Sequence, residues 1–256
     1  MPSVEAALRA RIDGGGRAFV PYVTGGAPGF DADVLRGLEA AGADVVEVGI
    51  PFSDPVMDGA VIQEASRLAL EAGATPERVL ATVRQAALGV PVAVMTYANP
   101  VWRLGHEAFL HECVGAGVSG VIVPDLPVDE AAGWVGACAA SGVEPIFLAA
   151  PGTSRERLAE ITEVSRGFVY CVATYGVTGE RETLSETATE LVGRLRPLTE
   201  RPLLVGVGIG TPGQASAACG FADGVVVGSA IVRLLSAGDR DGATRLATAF
   251  RAAIHA

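Results

Sequence analysis

Glu47 stands inside the apolar run Val45-Val46-Glu47-Val48-Gly49-Ile50, and two more carboxylates, Asp54 and Asp58, follow between Pro51, Pro55 and Gly59. A short β-branched run ending in Gly and Pro reads as a strand, and a strand apolar on both faces is buried on both. An ionised carboxylate there is costly unless it has partners or a purpose. Glu47 lies near the end of the strand, so it can be buried and still reach a site built by the loop that follows. A buried acid facing a loop acid is a layout for proton transfer. The plainer reading makes Glu47 a satisfied structural acid and the aspartates turn formers, and spacing alone leaves both open.

A second constellation is made of glycine. Gly206-Val207-Gly208-Ile209-Gly210 and Gly228-Ser229 each close a short apolar run. Glycine lets backbone N–H groups approach an anion closely, a serine hydroxyl adds a donor, and a helix start favours negative charge. Phosphate is the expected ligand, the alternative being that these glycines simply allow tight turns. This is not a G-x-G-x-x-G dinucleotide fingerprint, because the required helix and downstream acid are not in place. Gly176-Val177-Thr178-Gly179, two glycines around a threonine, suits a lid with a donor at its tip or an ordinary surface loop.

The elements that must position these residues alternate along the chain. Strands are expected at 18–23, 45–50, 92–97, 120–123, 143–149, 168–172, 203–206 and 224–227. Helices are expected at 2–12, 31–41, 61–72, 76–88, 107–114, 129–140, 154–164 and 185–198, with more after Thr211-Pro212 and Gly228-Ser229. Asp31 and Thr75 are expected to cap their helices, and Asn99-Pro100 reads as a break. The phrases Ala43-Asp44-Val45, Ser119-Gly120-Val121 and Ala222-Asp223-Gly224 recur at strand starts. Eight strand–helix units in 256 residues are the expected size of one (β/α)8 TIM barrel, here a single domain over residues 1–256. It carries an extra N-terminal helix and an inserted helix after the second strand; an open doubly wound sheet is the alternative. Barrel βα loops form the active face, so the long intervals after the second and sixth strands mark function.

Composition narrows the class. Half the residues are hydrophobic and 19% are charged, which permits a large core. The net charge of −10 argues against a nucleic-acid surface. Cys113, Cys138, Cys171 and Cys219 have neither zinc nor disulfide spacing and read as buried small hydrophobes. His106 and His111 lack the i,i+4 pairing of a helical metal site and, with His255, read as surface residues. No metal site is expected. The start Met1-Pro2-Ser3-Val4-Glu5 has no signal-peptide pattern, and the longest uncharged stretch is too rich in Gly and Pro to span a membrane, so a cytoplasmic protein is expected.

Several segments together resemble the tryptophan synthase α subunit family: Glu47-Val48-Gly49-Ile50-Pro51-Phe52-Ser53-Asp54-Pro55, Asp58-Gly59, Met95-Thr96-Tyr97, Asn99-Pro100, Val123-Pro124-Asp125-Leu126-Pro127, Gly176-Val177-Thr178-Gly179 and Gly224-Val225-Val226-Val227-Gly228-Ser229-Ala230. The resemblance runs from about Phe19 to Val232. It implies retro-aldol cleavage of indole-3-glycerol phosphate to indole and glyceraldehyde 3-phosphate. It makes Glu47 the acid/base that protonates indole C3 and Asp58 the acceptor of the indole N–H. It puts Tyr170 near the glycerol end, Gly179, Gly208, Gly228 and Ser229 at the phosphate, and Thr178 on a lid closing against Asp58. Tyr22, Met95 and Val207 fall around the indole ring. No cofactor is implied in this chain; the partner is a pyridoxal-phosphate β subunit in an α2β2 complex, with the Pro51–Asp58 loop and the Asn99-Pro100 region near the interface. Gly26-Ala27-Pro28, Ala60-Val61, Leu104-Gly105 and Thr174-Tyr175 depart from the family's usual residues. Those departures motivate an alternative, a stand-alone lyase that releases free indole.

Overall fold

The computed structural model describes residues 2–172, 186–206 and 208–254. Eight parallel strands, β1(Ala18–Thr24), β2(Val46–Gly49), β3(Val92–Met95), β4(Val118–Ile122), β5(Glu144–Ala149), β6(Val169–Val172), β7(Leu203–Gly206) and β8(Gly224–Val227), close in sequence order into one barrel, with β1 paired to β8. The doubly wound alternative is excluded, because an open sheet has two edges and this one has none. The helices are α1(Val4–Asp13), α2(Ala32–Ala40), α3(Ala60–Glu71), α4(Pro76–Ala86), α5(Ala98–Leu104), α6(His106–Ala116), α7(Ala132–Ser141), α8(Arg155–Val164), α9(Glu186–Leu195), α10(Pro212–Ala218), α11(Ser229–Ser236) and α12(Arg240–Ala253). The extra helix at the N-terminus is α1, and the interval after β2 holds both α3 and α4.

The strands are β-branched and buried because each has the barrel interior on one side and helices on the other. Outward residues such as Val48, Val94, Val121 and Val205 pack under the helices. Inward residues such as Val20, Ala93, Ile122, Leu204 and Val226 fill the interior. Val4 and Leu8 of α1 join that inner group, so α1 plugs one end of the barrel. Glu144, at the start of β5, holds the plug by accepting bonds from Val4 N, Glu5 N and the Ser3 hydroxyl.

The recurrent Ala-Asp phrase has a structural cause. Asp44 accepts Phe19 N at 2.8 Å and binds Arg11 and Arg251. Asp223 accepts Leu203 N at 2.8 Å and binds Arg196 through both oxygens. In each case the aspartate before one strand ties down the start of its neighbour.

Two expectations are corrected. Asn99-Pro100 does not break the chain but lies in the first turn of α5, where a proline's missing N–H would have had no helical partner. The helix expected from Asp129 is instead a 3-10 turn, Val128–Glu130, followed by α7. Asp31 and Thr75 cap α2 and α4 as expected. The four cysteines are free and buried. His111 is exposed, but His106 is half-buried with its ring edge against Trp134 at 5.5 Å. His255 and the whole loop expected after β6, with the lid motif in it, lie outside the described residues.

Candidate active site

At the C-terminal end of the strands a cavity of about 650 Å³ opens among Tyr22, Glu47, Asp58, Met95, Tyr170 and Ser229. Six sequence-nominated residues therefore line one space, and Gly228 lines it with them. Asp54 does not; it is exposed on the loop. Gly208 lies just past β7 with φ +95°, a conformation suited to glycine, and does not line the cavity. Thr178, Gly179 and Val207 lie outside the described residues.

Glu47 is 1% exposed, and neither carboxyl oxygen has a hydrogen-bond partner among the described residues. Burial, and after it the charge of Asp58, raises its pKa to about 8. An unpartnered buried carboxyl is more favourable neutral, because the charged form gives up water for nothing. The residue is thus poised as an acid at neutral pH.

Asp58 sits in the loop between β2 and α3. Burial raises its pKa to about 6, and a hydrogen bond from the Tyr97 hydroxyl opposes that rise. The two carboxyls consequently differ near pH 7, with Glu47 protonated and Asp58 ionised. Environments that separate two acids in this way assign one as proton donor and the other as fixed negative charge.

Tyr97, quoted in the sequence only as part of a motif, turns out to fix Asp58. Its hydroxyl accepts Met57 N at 3.0 Å while donating to Asp58, and its ring packs on Phe52 at 5.4 Å. Asp125 accepts Ala98 N at 2.8 Å and so holds the first turn of α5 beside Tyr97. A tyrosine and an aspartate at the ends of adjacent strands were the available sequence signal.

The two barrel tyrosines are held by glycines. A Cβ built on Gly49 would lie 2.0 Å from the Tyr22 oxygen, and one on Gly206 would lie 2.4 Å from the Tyr170 oxygen. Each ring thus fills the space of a missing side chain on the neighbouring strand. Gly49→Ala is expected to cost about 1–3 kcal/mol of stability through overpacking, read as a lowered urea midpoint, and to impair cleavage by displacing Tyr22.

The phosphate candidates are partly assembled. Gly228 caps α11, whose first residue is Ser229, and both residues line the cavity, which puts a helix N-terminus at its wall. Among the described residues no group of three His, Cys, Asp or Glu side chains could hold a metal ion.

Comparison with known proteins follows the same lines. The family model for the tryptophan synthase alpha chain matches residues 9–254. The tryptophan synthase alpha chain of Streptomyces coelicolor is 46% identical over 241 residues, covering 91% of this chain and 88% of the relative. That of Carboxydothermus hydrogenoformans is 43% identical over 225 residues, covering 86% and 84%. Among solved structures, Mycobacterium tuberculosis tryptophan synthase matches with a TM-score of 0.93 at 37% identity, with full coverage of both chains. The alpha subunit of Legionella pneumophila matches with a TM-score of 0.87 at 32% identity, covering 99% and 98%.

Proposed function

The chain belongs to the tryptophan synthase alpha chain family, and from that membership we propose a division of labour among its site residues. It is a lyase of tryptophan biosynthesis whose reaction is the cleavage of indole-3-glycerol phosphate to indole and glyceraldehyde 3-phosphate. The stand-alone alternative is not favoured, since the match spans nearly the whole chain and the named relatives are alpha chains.

Glu47 delivers its proton to indole C3. The ring becomes an indolenine-like cation and hence a leaving group. Asp58 accepts the hydrogen bond of the indole N–H and its charge stabilises that cation. The bond between C3 and the glycerol chain then breaks, and its electron pair returns to the ring. The Glu47 carboxylate takes the proton of the glycerol hydroxyl as that carbon becomes an aldehyde, which restores the starting acid. The observation that carries this reading is the pair of carboxyls in one cavity, one buried without a partner among the described residues, the other hydrogen-bonded by Tyr97. Tyr22, Met95 and Val207 surround the ring, and Tyr170 lies toward the glycerol. Gly208, Gly228 and Ser229, with Gly179, hold the phosphate, and Thr178 closes against Asp58.

Tyr97→Phe tests the positioning of Asp58. Loss of the donor to a carboxylate weakens the charged form. The acid limb of the cleavage profile is expected to move up by about one pH unit, with little change in activity at pH 8; an unmoved limb would remove Tyr97 from the account.

The chain acts as one barrel domain without a cofactor of its own, and its partner is a pyridoxal-phosphate β subunit in an α2β2 complex. Supporting this are the tryptophan synthase structures among its neighbours and exposed apolar side chains on two segments that follow adjacent strands. These are Val56 and Met57 on the loop after β2, and Trp102 and Leu104 on α5. No helix among the described residues is long and apolar enough to cross a membrane, and the proposed compartment is the cytoplasm. The test is steady-state cleavage of indole-3-glycerol phosphate by the purified chain with and without a β subunit. Slow cleavage that rises strongly with the partner supports the reading; fast cleavage indifferent to it overturns the partnership, and no cleavage in either case overturns the activity.

A further inference from the structure

The Tyr22 hydroxyl occupies an unusual place. It lies where a Gly49 side chain would begin, 2.0 Å from the built Cβ. Residues two apart on a strand point to the same face, so this oxygen stands on the face that carries the Glu47 side chain. Strand pairing agrees, since Tyr22 is the register partner of Glu47 across β1 and β2. Gly228 closes the other side, where an added Cβ would meet the ring at 3.2 Å.

The hydrogen bonding is lopsided. The Tyr22 oxygen accepts from the Thr24 hydroxyl at 3.4 Å, which occupies one of its acceptor positions and leaves its own proton to be placed. Both oxygens of Glu47 are buried without a partner among the described residues. The Tyr22 hydroxyl thus stands on the same face as a carboxyl that has no partner among the described residues. The neutral acid tolerates that arrangement; the carboxylate formed after proton delivery does not, because a buried charge without donors is costly.

We propose that Tyr22 is a positioning residue for the Glu47 carboxylate, its hydroxyl donating to the charge that forms when Glu47 protonates the substrate and so setting how readily the proton leaves. This rests on Glu47 being the acid. A rotation of the flexible Glu47 side chain toward Gly49 brings the groups together, while the clamped tyrosine stays in place. Among the described residues, the other titratable and charged groups sharing the cavity are Asp58 from the loop after β2, Asp125 after β4, Arg157 of α8 and Tyr170 of β6, with Tyr97 hydrogen-bonded to Asp58. The interior positions of β3, β5 and β8, including Met95, Leu148 and Val226, bring no charge. Tyr170 sits over Gly206, across the barrel from β2, and the charge of Asp58 opposes ionisation of Glu47. Tyr170 also feels the charge of Glu47 from β6, and Tyr22 is the tyrosine in register with Glu47 on the adjacent strand.

The test is Tyr22→Phe, which keeps the ring and removes the oxygen. Cleavage of indole-3-glycerol phosphate is followed from pH 6 to 10 for the full chain and the variant. The expected result is a basic limb raised by about one pH unit and a kcat about tenfold lower below that limb, the size of a lost bond to a charged group, with KM within about twofold. An unmoved basic limb overturns the proposal, whether or not kcat falls, since a packing defect lowers kcat without moving the limb. Glu47→Gln is measured alongside. If it retains cleavage, the reading of Glu47 as the acid fails first, and that failure is distinct from a wild-type-like limb in Tyr22→Phe.

Discussion

Glu47→Gln is expected to lower kcat for cleavage of indole-3-glycerol phosphate by about 10²–10⁴-fold, the range that a positioned acid–base group supplies. The amide has the shape of the neutral acid but no proton to release to indole C3 and no carboxylate to recover one from the glycerol hydroxyl. Substrate binding is expected to change little, because the loss falls on the transition state and not on uniform binding. The same variant is expected to be more stable than the parent in alkaline buffer. Glu47 has a folded pKa raised to about 8. The unfolded carboxyl ionises near its ordinary value of about 4.3, so between these values the unfolded state binds fewer protons. Stability therefore falls as pH rises from about 4.3 toward 8, by about 1.4 kcal/mol for each tenfold difference in proton affinity. Glutamine removes that slope. Thermal unfolding at pH 5 and pH 8 should show a gain in Tm for the variant that is larger at pH 8. Loss of activity with a gain of stability separates chemistry from folding; a variant that keeps normal cleavage would remove Glu47 from the mechanism.

Asp58→Asn is expected to reduce kcat by about 10²–10³-fold, the cost of losing one preorganised electrostatic contact to charge developing in the transition state. The amide oxygen can still accept the indole N–H, but the full negative charge opposite the indolenine-like cation is gone. Tyr97 and Met57 hold the position in either case, so the site stays assembled. Removing this charge also removes its opposition to ionisation of Glu47, and the basic limb of the residual activity should move to lower pH. A kcat loss smaller than about threefold would show that Asp58 is only a turn former, the plainer reading of its position in the loop.

The barrel was legible because a strand covered on both faces has to be β-branched and apolar. Runs such as Val92-Ala93-Val94-Met95 and Gly224-Val225-Val226-Val227 have no other good reading. Caps were legible at Asp31 and Thr75, where the residue type answers an unsatisfied helix N–H. Asn99-Pro100 was misread because proline signals both a break and a first helical turn, and only the fold tells them apart. Of the site, Glu47 was visible as a charge in an apolar strand. Its lack of any partner was not, since that depends on what seven other strands present to the interior. The roles of Tyr97 and Tyr22 were hidden for the same reason. One is set by a contact with the loop after β2, the other by the space that Gly49 leaves on the next strand.

The most direct test of the central claim, a neutral Glu47 working against an ionised Asp58, is the pH dependence of kcat/KM, which reports the free enzyme's essential groups. Because the two carboxyls interact, the limbs belong to the pair. The expected profile is a bell whose acid limb lies near pH 6, where Asp58 gains its charge, and whose basic limb lies near pH 8, where Glu47 loses its proton. Activity that stays level from pH 5 to 9, or that keeps rising through pH 9, would contradict it.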